Sequence, residues 1–155
     1  MRKVVLGIGN TLNRDEGLGV FALDALRGVV DPVDDLEFID GGTLGLNLLT
    51  IVEDSSHLLI LDAVDAGVSP GTVVELGRDE IPLFSGVRLS QHQITFQEVL
   101  GLARVRGHFP DKLHLIGVQP LDIEIGVGVS EAVETAMDEV VGRAKNMLQS
   151  WELTK

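Results

Sequence analysis

Three apolar runs of strand length stand out along the chain. They cover residues 4–8, 57–64 and 112–118, and aliphatic side chains fill most of their positions. A strand without a polar face is typical of the buried centre of a parallel sheet. The pattern therefore predicts three central strands that are covered on both faces.

Four other segments carry apolar residues at the spacing of a helix. They are residues 18–29, 44–53, 96–103 and 133–151. Thr43, Thr95 and Ser130 stand in front of the last three, where a side-chain oxygen commonly caps the first turn. Glu98, three residues after Thr95, completes the pattern of a capping box. We therefore expect four helices, the last of which is the longest.

The remaining pattern completes the expected fold. Residues 36–39 and 72–76 are predicted to be further strands, whereas residues 78–90 follow neither period and are predicted to form a loop. Strands that alternate with helices indicate a doubly wound α/β fold. We expect a three-layer αβα arrangement, with a twisted, mainly parallel sheet and helices on both faces. It should form one domain over residues 1–155, because no linker or repeat interrupts the chain.

Charge and cysteine content narrow the classes of function. The 155 residues carry a formal net charge of −12, so no nucleic-acid partner is expected, because phosphate binding depends on Lys and Arg. The absence of cysteine removes thiolate metal ligands, disulfides and cysteine nucleophiles together. No apolar stretch approaches the length that crosses a bilayer, and the start of the chain lacks the apolar region of a signal peptide. We expect a soluble cytoplasmic protein without membrane insertion.

The first predicted strand ends in a glycine-containing loop, which raises the question of dinucleotide binding. Gly7 and Gly9 match the first two glycines of G-x-G-x-x-G, but Leu12 stands where the third is required. Asp40 follows the second strand at a position suited to a ribose. Two acidic residues at the start of the next helix would nevertheless repel the pyrophosphate that binds there. The residues therefore argue against a nucleotide cofactor.

Carboxylate and imidazole side chains stand where strands end or helices begin. Glu16 follows the first strand, Asp62 ends the third strand in sequence, and His92 precedes a later helix. Because the carboxyl ends of parallel strands share one edge of the sheet, we expect these three side chains to converge. Each of these side chains also has a purely structural explanation. Asp15 and Glu16 suit a helix amino terminus, Asp62 suits a turn, and His92 suits a solvated loop.

Two carboxylates and one imidazole form a ligand set suited to zinc, nickel or manganese. Three protein ligands leave positions open for water or substrate, as in catalytic metal sites. The chain has neither a G-x-S-x-G nucleophile elbow nor a cysteine, so an acyl-enzyme route lacks a nucleophile. The remaining chemistry is hydrolysis by an activated water.

Six short motifs, taken together, match one known family. In chain order they are Gly7-Ile8-Gly9-Asn10, Asp15-Glu16-Gly17, Asp40-Gly41-Gly42-Thr43, Asp62-Ala63, His92 and Gly117-Val118-Gln119-Pro120. With these motifs in this order and spacing, the chain resembles the nickel–iron hydrogenase maturation endopeptidases over essentially its whole length. The resemblance implies a twisted, mainly parallel sheet between helices, in agreement with the hydrophobic pattern.

The resemblance also implies an activity. Members of this family are proteases that remove the carboxy-terminal extension of a hydrogenase large-subunit precursor after nickel insertion, the final maturation step. Glu16, Asp62 and His92 match the metal-binding positions, and we expect them to be the catalytic residues as well. Asp40-Gly41-Gly42-Thr43 matches a segment implicated in cleft formation and substrate recognition. The nickel is expected to come from the precursor, although zinc or another divalent ion could occupy the same ligands.

Three alternatives remain open at this point. Asp62 or Glu16 could act as general base without a bond between metal and enzyme, in the manner of an aspartyl protease. The protein could instead be a non-catalytic, nickel-dependent sensor that binds the precursor. The third alternative is a nucleoside phosphorylase-like hydrolase, which shares the sheet architecture. It would need a basic phosphate pocket, and the loops at the carboxyl edge offer only Arg14 and Arg88 for it. We expect the protein to act as a monomer on the large-subunit precursor.

Overall fold

The three apolar runs lie side by side at the centre of one sheet. The computed structural model describes residues 1–42, 45–83, 88–89 and 93–155, with the backbone alone for residues 45–46, 88–89 and 93–95. The strands are β1 (Arg2–Ile8), β2 (Leu36–Gly42), β3 (Ser55–Asp65), β4 (Val73–Gly77), β5 (Arg88–Leu89) and β6 (Lys112–Val118). The helices are α1 (Leu18–Arg27), α2 (Leu49–Asp54), α3 (Gln93–Val105) and α4 (Glu131–Ser150), and 3-10 turns cover Arg14–Gly17 and Gly45–Leu48.

The order of the sheet is β2-β1-β3-β6-β4. Strands β2, β1, β3 and β6 are parallel to their neighbours, and β4 runs antiparallel to β6 at the edge. The two-residue strand β5 pairs with the end of β3 in the antiparallel sense. The mainly parallel α/β fold class predicted from the hydrophobic pattern is thereby confirmed.

Alternation along the strands divides the core into two layers. One layer packs α2 and α3 on the sheet and contains Val4, Leu6, Ile8, Leu58, Ile60, Leu48, Val52, Phe96, Val99 and Leu100. The other packs α1 and α4 on the opposite face and contains Val5, Leu59, Leu61, Ile116, Val118, Leu18, Leu23, Leu26, Val133 and Val140. Both faces of the central strands are therefore apolar because both are covered by helices.

Helix α1 approaches the sheet unusually closely through Gly19. A Cβ atom at this position would lie 2.1 Å from the carbonyl oxygen of Leu61 and 2.3 Å from that of Ile8. In a dinucleotide-binding loop the third glycine of the motif permits a close contact between helix and strand. Here Leu12 holds that position in sequence, and Gly19 makes the close contact instead.

Several predicted boundaries are corrected by the structure. Strand β2 continues through Gly42, because β1 pairs with it beyond the predicted turn. The predicted loop at residues 78–90 contains β5, which is too short to show a period. Thr95 does not cap α3, because the helix already begins at Gln93. The apolar stripe starts only at Phe96, so the pattern located the buried part of the helix rather than its first turn. The predicted cap Thr43 lies outside the described residues.

Strand β4 is joined to its neighbours by a small charged network. Glu75 accepts a hydrogen bond from Arg143 at 2.9 Å and lies 2.8 Å from Nε2 of His114. Arg143 also pairs with Glu139 one turn away on α4. Burial opposes ionisation of Glu75, but the hydrogen bonds and charges of His114 and Arg143 prevail and lower its pKa.

We predict that Glu75→Gln lowers the free energy of unfolding by about 1 kcal/mol at pH 7, as a partly exposed ion pair would. Because the pKa is lowered in the folded protein, this contribution is present above the ordinary glutamate pKa of about 4.3 and is lost as the pH falls through the folded value. Urea titrations at pH 7 and pH 3 would measure it. Glu124→Gln, at an exposed loop position, is the control, and an equal change in both variants would contradict the assignment.

Within the part of the chain that the structure describes, no helix has the length and apolar character needed to cross a membrane.

Candidate functional site

Glu16 and Asp62 lie at the carboxyl edge of the sheet on neighbouring elements. Glu16 stands in the 3-10 turn that follows β1, and Asp62 stands in β3, the strand beside β1. Both side chains are buried, with 5% of Glu16 and none of Asp62 exposed. Two acidic side chains, one from a turn and one from a strand, are thus both buried away from water.

Asp62 is a carboxyl group in an unfavourable environment. Its Oδ1 accepts a hydrogen bond from the backbone N–H of Ala63 at 2.8 Å. Its Oδ2 is buried and has no hydrogen-bond partner among the described residues. Burial raises the pKa of Asp62 well above its usual value, the Ala63 N–H offsets this only in part, and the negative charge of Glu16 raises the pKa further. The charge on Glu16 is therefore close enough to act on Asp62.

The location of Asp62 corrects two expectations. The strand does not end at this residue, because β3 continues to Asp65 and Asp62 pairs with Gly117 of β6. Asp62 is therefore not a turn residue either. A buried aspartate in the middle of a central strand lowers stability unless something compensates it, which favours a functional interpretation over a structural one.

The backbone that carries Glu16 depends on a glycine. Gly9 has a φ of +142°, and a Cβ atom there would lie 1.8 Å from the carbonyl oxygen of Glu16. Arg14, at the start of the 3-10 turn, has a φ of +47°, which is uncommon for a residue other than glycine. The 3-10 turn therefore packs closely against the residue that follows β1. Only a glycine at position 9 permits this contact, because any side chain would collide with the backbone of Glu16.

Part of the predicted substrate-binding segment lies at the same edge. Asp40 is exposed, and its Oδ1 accepts a hydrogen bond from the N–H of Gly42 at 2.9 Å. Gly42 has a φ of +49° and accepts a hydrogen bond from the N–H of Gly9 at 3.1 Å. Gly41 is buried, and a Cβ there would lie 2.9 Å from a methyl carbon of Leu6. The described part of this segment is thus fastened to the loop that leads to Glu16.

His92 and Thr43 lie outside the described residues, so their roles stay predictions. The described backbone nearest His92 in sequence is β5 before it and Gln93, the first residue of α3, after it. Strand β5 pairs with Val64 and Asp65, which follow Asp62 by two and three residues.

Asp15 has a role that sequence reasoning missed. Its buried carboxylate accepts hydrogen bonds from the backbone N–H groups of Leu121, Asp122 and Ser130, at 2.9, 3.0 and 2.6 Å. The Ser130 hydroxyl donates a fourth, at 2.8 Å. Burial opposes its ionisation, but these donors prevail and lower the pKa of Asp15. We call this arrangement the Asp15 clamp, and it joins the first loop of the chain to the loop between β6 and α4.

The clamp changes the interpretation of two residues. Asp15 was expected to complement the dipole of α1, but its carboxylate is held by a segment more than a hundred residues away. Ser130 does occupy the N-cap position of α4, yet its hydroxyl bonds to Asp15 and makes no capping hydrogen bond. No local pattern could have shown this, because the partners are distant in sequence.

Gln119 also stabilises the carboxyl edge of the sheet through hydrogen bonds of its side chain. Its buried side chain accepts a hydrogen bond from the N–H of Ala66 at 2.7 Å and donates one to Oδ1 of Asp65 at 3.2 Å. These bonds tie the end of β6 to the segment that follows β3. The strand that carries Asp62 is thereby fixed on the side away from Glu16.

The two carboxylates would provide part of a ligand set for a divalent cation. Among the described residues no group of three or more His, Asp and Glu side chains could hold a metal ion, so Glu16 and Asp62 need a further ligand. The buried Oδ2 of Asp62, which has no partner within the described ranges of the chain, is an acceptor that a cation would satisfy, and the mutual repulsion of the two carboxylates would fall on binding. His92, predicted as the third ligand, would complete a borderline set.

Comparison with known protein families and sequences shows a relationship over most of the chain. The family model described as hydrogenase maturation protease matches residues 22–147. The hydrogenase expression/formation protein HupD of Rhizobium leguminosarum bv. viciae is 42% identical over 152 residues, covering 97% of this chain and 75% of that protein. The hydrogenase 2 maturation protease of Escherichia coli (strain K12) is 39% identical over 139 residues, covering 89% of this chain and 85% of that protein.

A solved structure shows the same similarity in three dimensions. The hydrogenase maturating endopeptidase HybD from E. coli superposes with a TM-score of 0.90 and 36% identity. The superposition covers 100% of this chain and 98% of that one. The similarity therefore extends over the sheet, both helical layers and the edge that carries Glu16 and Asp62.

Proposed function

Because the chain belongs to the hydrogenase maturation protease family, we propose that it removes the carboxy-terminal extension of a nickel–iron hydrogenase large-subunit precursor. The chain is a peptidase, as its family is. The observation that carries the proposal is the pair of buried carboxylates, in which Oδ2 of Asp62 has no hydrogen-bond partner among the described residues and the charge of Glu16 raises the pKa of Asp62. In this proposal cleavage follows nickel insertion and is the final step of maturation.

In this proposal the nickel arrives with the precursor and is part of the substrate. Glu16, Asp62 and His92 would provide its ligands on the protease side. A bound divalent cation supplies Lewis acidity, which polarises a carbonyl group or lowers the pKa of a bound water. Zinc or another divalent ion could occupy the same residues, since carboxylate and imidazole donors accept several borderline metals.

Asp62 is suited to proton transfer. Its pKa is raised above the ordinary aspartate value by burial and by Glu16, and a carboxylate with a raised pKa is a stronger base than an exposed one. As a carboxylate, Asp62 would take a proton from the attacking water. As a carboxylic acid, it would then return that proton to the amine that leaves. The same residue serves an aspartyl-type mechanism in which no bond forms between metal and enzyme.

The two carboxylates also account for discrimination between loaded and empty precursors. Glu16 and Asp62 repel each other inside the protein, and a cation brought by the precursor relieves that repulsion. A precursor without nickel gains no such interaction and therefore binds less tightly. The protease would act as a checkpoint for metal insertion, with Asp40-Gly41-Gly42-Thr43 contacting the polypeptide beside the cleavage site.

Mass spectrometry tests this function directly. We expect the nickel-loaded large-subunit precursor to lose a discrete carboxy-terminal peptide on incubation with the protein, and the metal-free precursor to keep its full mass. A reaction without the protein controls for self-processing. Cleavage of both precursors at equal rates would contradict the checkpoint.

The alternative of a non-catalytic nickel sensor gives a different result in the same experiment. It predicts stable binding of the loaded precursor with no change of mass, and the family assignment does not favour it. We further propose that the protein works as a monomer in the cytoplasm, a reducing compartment with which a chain without cysteine is compatible.

A further inference from the structure

Five apolar side chains are exposed on the two loops that the Asp15 clamp joins. They are Leu12 (64% exposed), Leu121 (62%), Ile123 (40%), Ile125 (89%) and Val127 (85%), and we call them the apolar ridge. Four of them alternate along the loop between β6 and α4. Loops ordinarily expose polar side chains, so a set of aliphatic ones in this position calls for a physical reason.

Hydrogen bonds hold the two segments that carry these five side chains against each other. The N–H of Gly126, which separates Ile125 from Val127, donates to the carbonyl oxygen of Leu12 at 2.9 Å. The side-chain amide of Asn13 donates to the carbonyl oxygen of Ile123 at 3.2 Å. Leu12 therefore lies against the other loop, and the exposed apolar surface is shared by two segments that are distant in sequence.

The apolar ridge is fixed relative to Glu16. The Asp15 clamp holds Leu121, Asp122 and Ser130 from the inner side, and Asp15 immediately precedes Glu16 in the chain. The N–H of Asp15 also donates to the carbonyl oxygen of Asp122 at 2.9 Å. A surface that is ordered before binding loses little conformational entropy when a partner docks.

The charges around the ridge indicate what kind of partner it fits. An open pocket of about 660 Å³ next to Leu121 and Ile123 is lined by one basic and three acidic side chains, Arg14, Asp122, Glu124 and Glu131. Arg14 forms an ion pair with Asp122 at 3.0 Å, so the two glutamates leave the rim acidic. The whole chain carries a net charge of −12, so two copies that met ridge to ridge would repel each other. An apolar segment that carries Lys or Arg side chains would complement both the aliphatic surface and its acidic rim.

We propose that the apolar ridge is the docking surface for the precursor protein, and that it binds an apolar segment bearing basic side chains. The proposal rests on the proposed function, since it names the surface by which the same substrate is held. Docking on the ridge would place the polypeptide next to Glu16. The ridge would then contribute to affinity, and the two buried carboxylates to catalysis.

The test compares the removal of exposed aliphatic side chains from the ridge with a removal elsewhere on the surface. In the ridge variant, Ile125→Ser and Val127→Ser are combined. In the control, Val105→Ser removes a side chain that is 78% exposed at the end of α3, near Arg106 and its ion pair with Glu53 at the opposite edge of the sheet. The dissociation constant for the nickel-loaded precursor is measured by titration, and kcat and KM for its processing by mass spectrometry.

We expect the ridge variant to weaken binding and raise KM at least about tenfold, with kcat unchanged, and the control to match the wild type. Leu12→Ser, on the other loop, should also raise KM and leave kcat unchanged. Agreement between the two variants would show that the effect does not come from local misfolding of the first one. Binding by the wild type should weaken as salt is added, because the basic side chains of the partner face an acidic rim.

The failures of the two proposals are distinguishable. If the wild type processes the precursor and the ridge variants have wild-type KM, the docking surface is refuted and the proposed function stands. If the wild type neither binds nor cuts a cognate precursor, the proposed function fails and the docking proposal with it. If sedimentation shows a wild-type dimer that both ridge variants dissociate, the ridge binds a second copy and the proposal is overturned.

Discussion

Asp62→Asn is expected to reduce processing of the nickel-loaded precursor at least about a hundredfold, the range in which loss of a general acid–base group falls. Asparagine has nearly the same shape but can neither take up a proton at neutral pH nor bind a cation with a charged oxygen. Both the metal-assisted and the aspartyl-type mechanisms therefore predict the loss. The measurement is kcat/KM for release of the carboxy-terminal peptide, followed by mass spectrometry.

The same variant should fold at least as well as the wild type. The folded-state pKa of Asp62 is raised, so the wild-type free energy of unfolding falls as the pH rises from the ordinary aspartate value of about 3.9 towards the folded value. Asparagine does not ionise, so the variant lacks this fall in the free energy of unfolding. The free energy of unfolding of the variant, relative to that of the wild type, should therefore increase from pH 4 to pH 7 in urea titrations. Asp111→Asn, an exposed position just before β6, is the control. Substantial processing by Asp62→Asn would refute the catalytic role.

The central part of the fold was predictable because its physical cause is local. A strand buried on both faces must be apolar throughout, and an amphipathic helix must repeat its apolar side every turn. These rules located β1, β3, β6 and α4 from single segments. They could not locate β5, because a two-residue strand is defined by its partner Val64–Asp65 and has no pattern of its own.

The candidate site was predictable only in its outline. Parallel strands bring their carboxyl ends to one edge, so Glu16 and Asp62 were expected together, and the structure places them on neighbouring elements at that edge. The burial of Asp62 inside β3 was not expected, because a carboxylate after four apolar residues usually marks the end of a strand. The Asp15 clamp could not be foreseen either, since its four donors lie more than a hundred residues from the acceptor.

Asp15→Asn should have the largest effect on stability of any change considered, lowering the free energy of unfolding by about 3–5 kcal/mol. The variant replaces one acceptor oxygen with an NH₂ group that faces the donors of Leu121, Asp122 and Ser130, and it removes the charge that strengthens all four bonds. Urea titrations at pH 7 would measure the loss. Asp24→Asn, an exposed position on α1, should change stability by no more than about 0.5 kcal/mol.

The dependence of this loss on pH separates the Asp15 clamp from a merely local disturbance. Because the pKa of Asp15 is lowered in the folded protein, its contribution is present above about pH 3.9, the ordinary aspartate pKa, and is lost as the pH falls through the folded value. The gap in stability between wild type and Asp15→Asn should therefore narrow as the pH is lowered from 6 towards 3. A gap that stays constant over this range would mean that the charge on Asp15 does not hold the two loops together. The apolar ridge would then owe its position to the other hydrogen bonds between the two loops, among them those of Gly126 with Leu12 and of Asn13 with Ile123.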